Sequence, residues 1–337
     1  MRVARLHDIG NVQIHDEARP EPVDGMSLVR VTDVGLCGSD LHWFAEGGIG
    51  DAQIGRRPLV LGHEIAGVVE AGPLIGRSVA VDPAIPCGKC VLCLQGHHNL
   101  CPSVRFAGHG ESDGGLRELI AWPSELLHPL PGSITTTEGA VLEPLGVALH
   151  ALDLSGLRAG GTAAVLGCGP IGLLLIQLAL ATGAATVIAV DPLEHRRQAA
   201  LAFGAALALA PADLTDRGST IDAVGQLGVD VAFEVAGAND AVEHAIALTM
   251  PGGRVVLIGI PDGDRTSFTA SVARRKGLTI MMSRRMKEDV YPRCIRLVEQ
   301  GRVDALSVVS HRFPLDQVGE AFAQASSRAG LKVIVQP

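Results

Sequence analysis

The chain is expected to fold as an α/β protein of two domains, because its two stretches are written in different styles. The first 145 residues are rich in Gly, Pro and short valine-rich runs such as SLVRVTDVG and RSVAVDPAIP. These read as strands linked by turns, an irregular all-β body. From about residue 146, short uncharged runs (TAAVLG, TVIAVD, VDVAFEVAG, RVVLIG) alternate with Ala- and Leu-rich helical stretches. Buried parallel strands have this composition, and the alternation predicts a doubly wound parallel sheet. At 337 residues the chain is long enough for two cores.

Composition narrows the possible partners. A hydrophobic fraction of 47% marks a globular chain. A net charge of −8 argues against a nucleic-acid or anionic-membrane surface, and 3% aromatic residues leave no stacking platform for bases. The start, MRVARLHDIG, has no signal-peptide layout, so a cytoplasmic location is expected. The segment IGLLLIQLALATGAATVIAV, residues 171–190, carries no charge over about the length that spans a bilayer. It is interrupted at Thr182-Gly183 and closes on Asp191, so it reads as a helix and then a strand, both buried in one sheet.

Taken in order, the first motif is VGLCGSDLHWF, which holds Cys37, Ser39, Asp40 and His42. Taken alone, the cysteine reads as a core thiol. Next comes PLVLGHEIAGVVE, residues 58–70, which reads as a buried strand interrupted by His63 and Glu64. An unpaired charge in an apolar core is costly, so Glu64 should have a partner or a metal. The compressed VVEAGPLIGRSVAV that follows is expected to be a shortened surface loop.

Of the seven cysteines, four fall in CGKCVLCLQGHHNLC as Cys87, Cys90, Cys93 and Cys101. An odd count and such close spacing favour a metal over a disulfide framework. Four thiolates in C-x2-C-x2-C-x7-C can close a tetrahedral shell around one Zn²⁺, a structural site with no open position. An iron–sulfur cluster also uses four cysteines, but zinc is the simpler reading inside a loop. His97 and His98 are expected to be solvated loop residues, and Cys168 and Cys294 packing residues. Glu143 then lies in VLEPLGVALH at the join of the two domains. Thiolate, imidazole and carboxylate are all good zinc ligands, so Cys37, His63, Glu64 and Glu143 are candidates for an incomplete shell open to substrate.

The second domain opens with Gly167, Gly169 and Gly172 in GxGxxG spacing, after a predicted strand and before a helix. Gly167 makes the tight turn, Gly169 admits backbone amides to a pyrophosphate, and Gly172 lets helix and strand pack closely. Pro170 falls in the first helical turn, where its missing N–H costs nothing, and the helix N-terminus faces the phosphates. Asp191 follows about 20 residues beyond the glycines, where a ribose-binding carboxylate belongs. It should repel a 2′-phosphate, favouring NAD over NADP. Ile171 and Arg196 complete the expected cofactor contacts, and Arg196 with Arg197 keeps NADP as the alternative. After about residue 283 a helix-like YPRCIRLVEQG, the run SVVSHRFP, a further helix and the strand LKVIVQP close the chain.

The ordered set CGSDLH, GHE, CGKCVLCLQGHHNLC, EPL and GCGPIG resembles the zinc-dependent medium-chain dehydrogenase/reductase family over essentially the whole chain. Alcohol dehydrogenases of that family carry a second catalytic cysteine where this chain has Glu143. Glu143 with GHE resembles instead the polyol branch, the sorbitol (L-iditol), xylitol and L-idonate 5-dehydrogenases. The resemblance implies a GroES-like catalytic domain at 1–146 and 284–337, with a structural zinc lobe at 87–101, and a Rossmann NAD-binding domain at 147–283.

It also implies that Cys37, His63 and Glu64 bind a catalytic zinc directly, with Glu143 either a further ligand or the holder of a zinc-bound water. The expected chemistry is hydride transfer from a secondary alcohol of a polyol or aldonate to NAD, giving the ketone. Ser39 could accept the hydroxyl proton and pass it towards His42, while Asp40 orients the loop. Trp43, Phe106 and Arg285 fall where substrate contacts are expected, with Arg284 the alternative to Arg285. Met286 after Arg285, and Trp43 where sorbitol dehydrogenases commonly have Tyr, point away from sorbitol itself. The rival within the family is an L-threonine or aminocyclitol dehydrogenase, whose amine would want a carboxylate such as Glu118 or Asp113. A catalytically silent NAD- or zinc-binding scaffold would show a lost zinc ligand or glycine, and neither is lost. Relatives are homodimers or homotetramers, so a homo-oligomer is expected.

Overall fold

The computed structural model describes residues 1–50, 52–55, 57–215 and 227–337. They divide into two compact units. One comprises Met1–Pro144, Lys287–Gly301 and Ala305–Pro337; the other comprises Leu145–Met286 and Arg302–Asp304. The helix Thr136–Ser155 carries the chain across the first boundary and runs through Pro144, whose missing N–H removes one rung of the helical ladder.

The first unit is built on a seven-stranded sheet. Its central strand, Met26–Gly35, pairs antiparallel with Glu64–Ala71 on one side and Lys332–Gln336 on the other. Val29, Val31, Val34, Ile65, Val69 and Val335 fill the core beneath it. β-branched side chains suit such a pleated, buried surface. The run at 58–70 departs from its sequence reading, because the strand begins only at Glu64. Gly62 holds φ +89, and a Cβ there would come 2.6 Å from Val34 Cγ1, so the backbone turns just before His63. The sheet also brings the end of the chain to its middle. Lys332 opens the last strand, and Gly35 faces Ile334 on one side and Glu64 on the other.

In the second unit six parallel strands run in the order Leu207–Leu209, Thr186–Val190, Thr162–Leu166, Val229–Glu234, Thr249–Leu257, Thr279–Met282. The chain starts at Thr162–Leu166, moves outwards one way, then returns to build the other half. The order therefore reverses between Thr162–Leu166 and Val229–Glu234, the point at which such sheets bind ligands. The helix Pro170–Ala181 buries every residue from Gly172 to Ala179, which accounts for the uncharged stretch at 171–190. Gly183 (φ +96) ends it and the strand Thr186–Val190 follows. No helix among the described residues is long and apolar enough to cross a membrane.

Candidate metal centres and dinucleotide site

Cys37 is the N-cap of the helix Gly38–Glu46, immediately after the central strand. Its ligand atom and those of His63 and Glu64 lie within 4.8 Å of one another, a span that one ion with ligands at about 2.0–2.3 Å can close. Asp40 joins the two segments that carry them. Its Oδ2 accepts the N–H of Cys37 (2.9 Å), its Oδ1 accepts the N–H of Gly62 (3.1 Å), and Oδ1 stands 3.5 Å from His63 Nδ1. Burial alone would push Asp40 up; the charge of His63 and the bonds from His63, Cys37 and Gly62 outweigh it and hold its pKa down. Burial opposes a charged His63 too, but Asp40 and Cys37 raise its pKa well above the ordinary histidine value. Asp40 and Cys37 thus set negative charge against His63, surroundings that suit a bound cation.

Glu64 is fully buried, and its Oε1 accepts a 2.6 Å hydrogen bond from Lys332 Nζ, which also donates to the carbonyl of Leu36 (3.0 Å). Among the described residues its Oε2 has no hydrogen-bond partner. An orphaned buried carboxylate oxygen is costly, and a metal ion is the partner its chemistry fits. Gly35 is needed beneath it, since a Cβ would stand 1.9 Å from that oxygen.

Glu143 is 4% exposed but lies outside the group of mutually close ligand atoms. Burial pushes its pKa up to about 7; His63 and Lys332 oppose the shift and Glu64 adds to it. Ser39 is half-buried one residue from the helix start, and His42 Nδ1 bonds Glu46 Oε1 at 2.9 Å. The Phe106 ring packs 5.2 Å from that of His63. Trp43 is only 1% exposed and its indole N–H is taken by His109 Nδ1 (3.3 Å), so the ring belongs to the core. Arg285 lies in the second unit, after the strand Thr279–Met282, half-buried with φ +53. The carboxylates considered for an amine substrate are both occupied. Asp113 pairs with Arg5 and Arg57, and Glu118 with Arg2.

The second cluster is self-contained. Cys87, Cys90, Cys93 and Cys101 all lie within 4.8 Å of one another, with Cys90 and Cys93 sulfurs 3.4 Å apart. The amides of Lys89 and Cys90 pull Cys87 down to about 6, towards the thiolate that binds metal. Four sulfurs complete a tetrahedral shell, so the residues fit a structural zinc. His98 is not the solvated residue expected from the loop. Its Nδ1 pairs with Glu288 at 2.6 Å, because the chain beyond residue 287 returns to the first unit.

At the reversal point of the parallel sheet the glycines do three separate jobs. Gly167 has φ +103, and a Cβ at Gly172 would lie 1.9 Å from its carbonyl oxygen, so both positions exclude a side chain. Gly169 is the N-cap of Pro170–Ala181, with Pro170 in the first turn, and a Cβ there would meet only Arg196 Nη1 at 3.9 Å. The space before the helix N-terminus is open, as a phosphate cradle requires. Asp191, 3% exposed, accepts the N–H of Cys168 through Oδ2 (2.8 Å) and that of Leu193 through Oδ1 (2.9 Å). It fixes the glycine turn and keeps lone pairs for a ribose hydroxyl. Arg197 donates to the carbonyls of Asp191 and Pro192 and pairs with Glu194, whereas Arg196 stands nearest Gly169. Ile171 is half-buried in the first turn. The residues thus fit a dinucleotide.

Lys332 is the main participant that sequence reasoning missed. Its signal was a single Lys at the head of the apolar run LKVIVQP.

Comparison with known proteins is consistent with this geometry. The family described as "Alcohol dehydrogenase GroES-like domain" matches residues 23–132, and that described as "Zinc-binding dehydrogenase" matches residues 170–300. Sorbitol dehydrogenase of Bacillus subtilis (strain 168) is 32% identical over 347 residues, covering 100% of this chain and 97% of its own. The structure of L-idonate 5-dehydrogenase from Escherichia coli superposes with a TM-score of 0.89 at 27% identity, over 100% of this chain and 98% of that one. A zinc-binding dehydrogenase structure from Sinorhizobium meliloti 1021, bound to NADP, gives a TM-score of 0.90 at 31% identity, over 100% and 99%.

Proposed function

Since the chain belongs to the zinc-dependent medium-chain dehydrogenase/reductase family, we propose that it oxidises a secondary alcohol of a polyol or aldonate with NAD. The balance is alcohol plus NAD⁺ to ketone, NADH and one proton. The observation that carries this reading is the three-ligand group Cys37, His63 and Glu64, with one Glu64 oxygen still seeking a partner. When bound, the zinc supplies a Lewis acid for the substrate hydroxyl and the nicotinamide an acceptor for hydride.

The chain's own residues position and exclude. Asp40 orients His63, Lys332 holds one oxygen of Glu64, and Phe106 packs against the His63 ring. Glu143, buried beside this group and outside it, holds a water against the site. Ser39 accepts the hydroxyl proton and hands it to His42. Ser39, His42 and Glu46 recur at i, i+3 and i+7, one helix face leading out to the half-exposed Glu46 carboxylate. Arg285 is proposed as a substrate contact, whereas Trp43, buried in the core, is given no such role.

In the second unit Gly167, Gly169, Pro170, Ile171 and Gly172 receive the pyrophosphate, Asp191 the adenosine ribose, and Arg196 flanks the cradle. The catalytic role is assigned to the first unit and cofactor binding to the second. NAD is favoured because the Asp191 carboxylate would repel a 2′-phosphate. A homo-oligomer fits the strand Thr279–Met282, which ends the parallel sheet with Met282 69% exposed. A cytoplasmic location fits cysteines that form no disulfide among the described residues. The amine-substrate reading is disfavoured because Asp113 and Glu118 are already paired with arginines.

The test follows NADH formation with a panel of polyols, aldonates, aminocyclitols and L-threonine, each with and without a zinc chelator. Chelator-sensitive turnover of a polyol or aldonate is expected. Turnover confined to an amine-bearing compound, or none at all by protein that holds zinc and binds NAD, would overturn the reading.

A further inference from the structure

The second unit contains a buried carboxylate that the chemistry above does not use. Glu234 ends the strand Val229–Glu234 and is 2% exposed. Its Oε1 accepts the N–H groups of Ala236 (2.8 Å) and Gly237 (2.7 Å). Its Oε2 lies over Gly259, where a Cβ would come within 2.9 Å. Its main-chain carbonyl accepts the N–H groups of Ile258 (2.8 Å) and Gly259 (3.2 Å). One residue therefore ties the turn at 235–238 to the turn at 258–261, each leaving the C-terminal end of a neighbouring parallel strand.

Glycines make this junction tight. A Cβ on Gly167 would stand 2.8 Å from the nitrogen of Ala236, one on Gly237 2.2 Å from the carbonyl oxygen of Ile260, and one on Gly259 2.1 Å from the nitrogen of Gly237. The glycine turn and the two Glu234-bound turns are stacked with no room for side chains between them. Burial pushes the Glu234 pKa up, against the amides of Gly237, Ala236, Ala238 and Gly259, which favour the ionised form.

The position of this junction gives it a role. A dinucleotide lies across the reversal point of the sheet, one half on each side. Asp191 ends the side that begins with Thr186–Val190, where the adenosine half belongs. The turns held by Glu234 lie on the other side, where the nicotinamide half belongs. We propose that Glu234 is a positioning residue for the nicotinamide half of the cofactor, fixing the turns 235–238 and 258–261 as its main-chain platform. It acts through those turns and does not touch the cofactor. The inference rests on reading the second unit as a dinucleotide site.

Three variants of the full chain test it by direct binding, with thermal melting as the check on folding. NADH is titrated by fluorescence and ADP, a probe of the adenosine half, by calorimetry. Glu234→Ala removes the acceptor for two amides and should weaken NADH by about tenfold or more while changing ADP by less than about twofold. Glu234→Gln keeps an acceptor oxygen and should bring NADH back to within about threefold of the parent. Should the Ala variant fail to fold, Glu234→Asp, one carbon shorter, is expected to show the same split between NADH and ADP. An Ala or Asp variant that binds NADH like the parent, or loses ADP as far as NADH, overturns the proposal, as does a Gln variant no better than Ala. Parent protein that binds neither NADH nor ADP overturns the dinucleotide reading along with it.

Discussion

The two metal centres of the first unit are assembled in opposite ways. The four-cysteine cluster draws every ligand from residues 87–101. Its contact with Glu288 runs through His98, a half-buried residue that supplies no ligand and faces an exposed carboxylate. The Cys37–His63–Glu64 group is assembled by the fold, from two separated segments, with Asp40 tying them and Lys332 arriving 268 residues after Glu64. One centre is a local staple whose shell is closed. The other offers three ligand atoms and depends on distant supports, which suits the catalytic role proposed for it.

The supports are therefore where the two centres should differ most. In protein stripped of the open-centre metal, Lys332→Ala leaves Glu64 buried and uncompensated, and breaking such a pair by removing one partner costs about 3–5 kcal/mol. Urea unfolding should show that loss, and metal analysis should find the cysteine zinc retained. An unchanged unfolding midpoint would show that Lys332 does not support the open centre.

Asp40→Ala comes next. It frees His63 and the Cys37 and Gly62 amides together, and should weaken zinc at the open centre by about 10–100-fold without touching the cysteine cluster. Competition with a chromophoric chelator measures both sites in one titration; equal weakening at both would erase the contrast.

Cys101→Ser opens the closed shell and should remove one zinc per chain while the open centre keeps its own, read by metal analysis. Loss of both ions would mean that the centres are not independent. His98→Ala is the mildest change. The Glu288 partner is 63% exposed, so stability should move by less than about 1 kcal/mol and both zinc ions should stay. A larger drop on thermal melting would show that the lobe depends on the chain beyond it.

The same contrast explains what could be read from the sequence. C-x2-C-x2-C-x7-C and GxGxxG are written within a few turns of chain, and the structure places both groups of residues together as spaced. The parallel strands were legible because burial on both faces leaves an uncharged, β-branched run. What escaped reading depends on contacts between distant residues. Nothing near Lys332 points to Glu64, nothing near His98 points to Glu288, and the beginning of the strand at Glu64 is set by Gly62 packing on Val34. Asp191 was expected to face a ribose; that it also grips the amide of Cys168 follows from strand ends meeting in space. Glu143 shares the burial of the metal group and not its close ligand geometry, a distinction that spacing does not encode.

On the proposed reading, turnover depends on the metal held by the open Cys37–His63–Glu64 centre. Stepwise chelation, with zinc content and NADH formation from a polyol followed in the same samples, tests it most directly. Two zinc ions per chain are expected, with activity lost as the first ion leaves the open centre and the cysteine-bound ion and the fold both retained. Activity that persists until the cysteine cluster is stripped, or protein active with zinc only in that cluster, would contradict it.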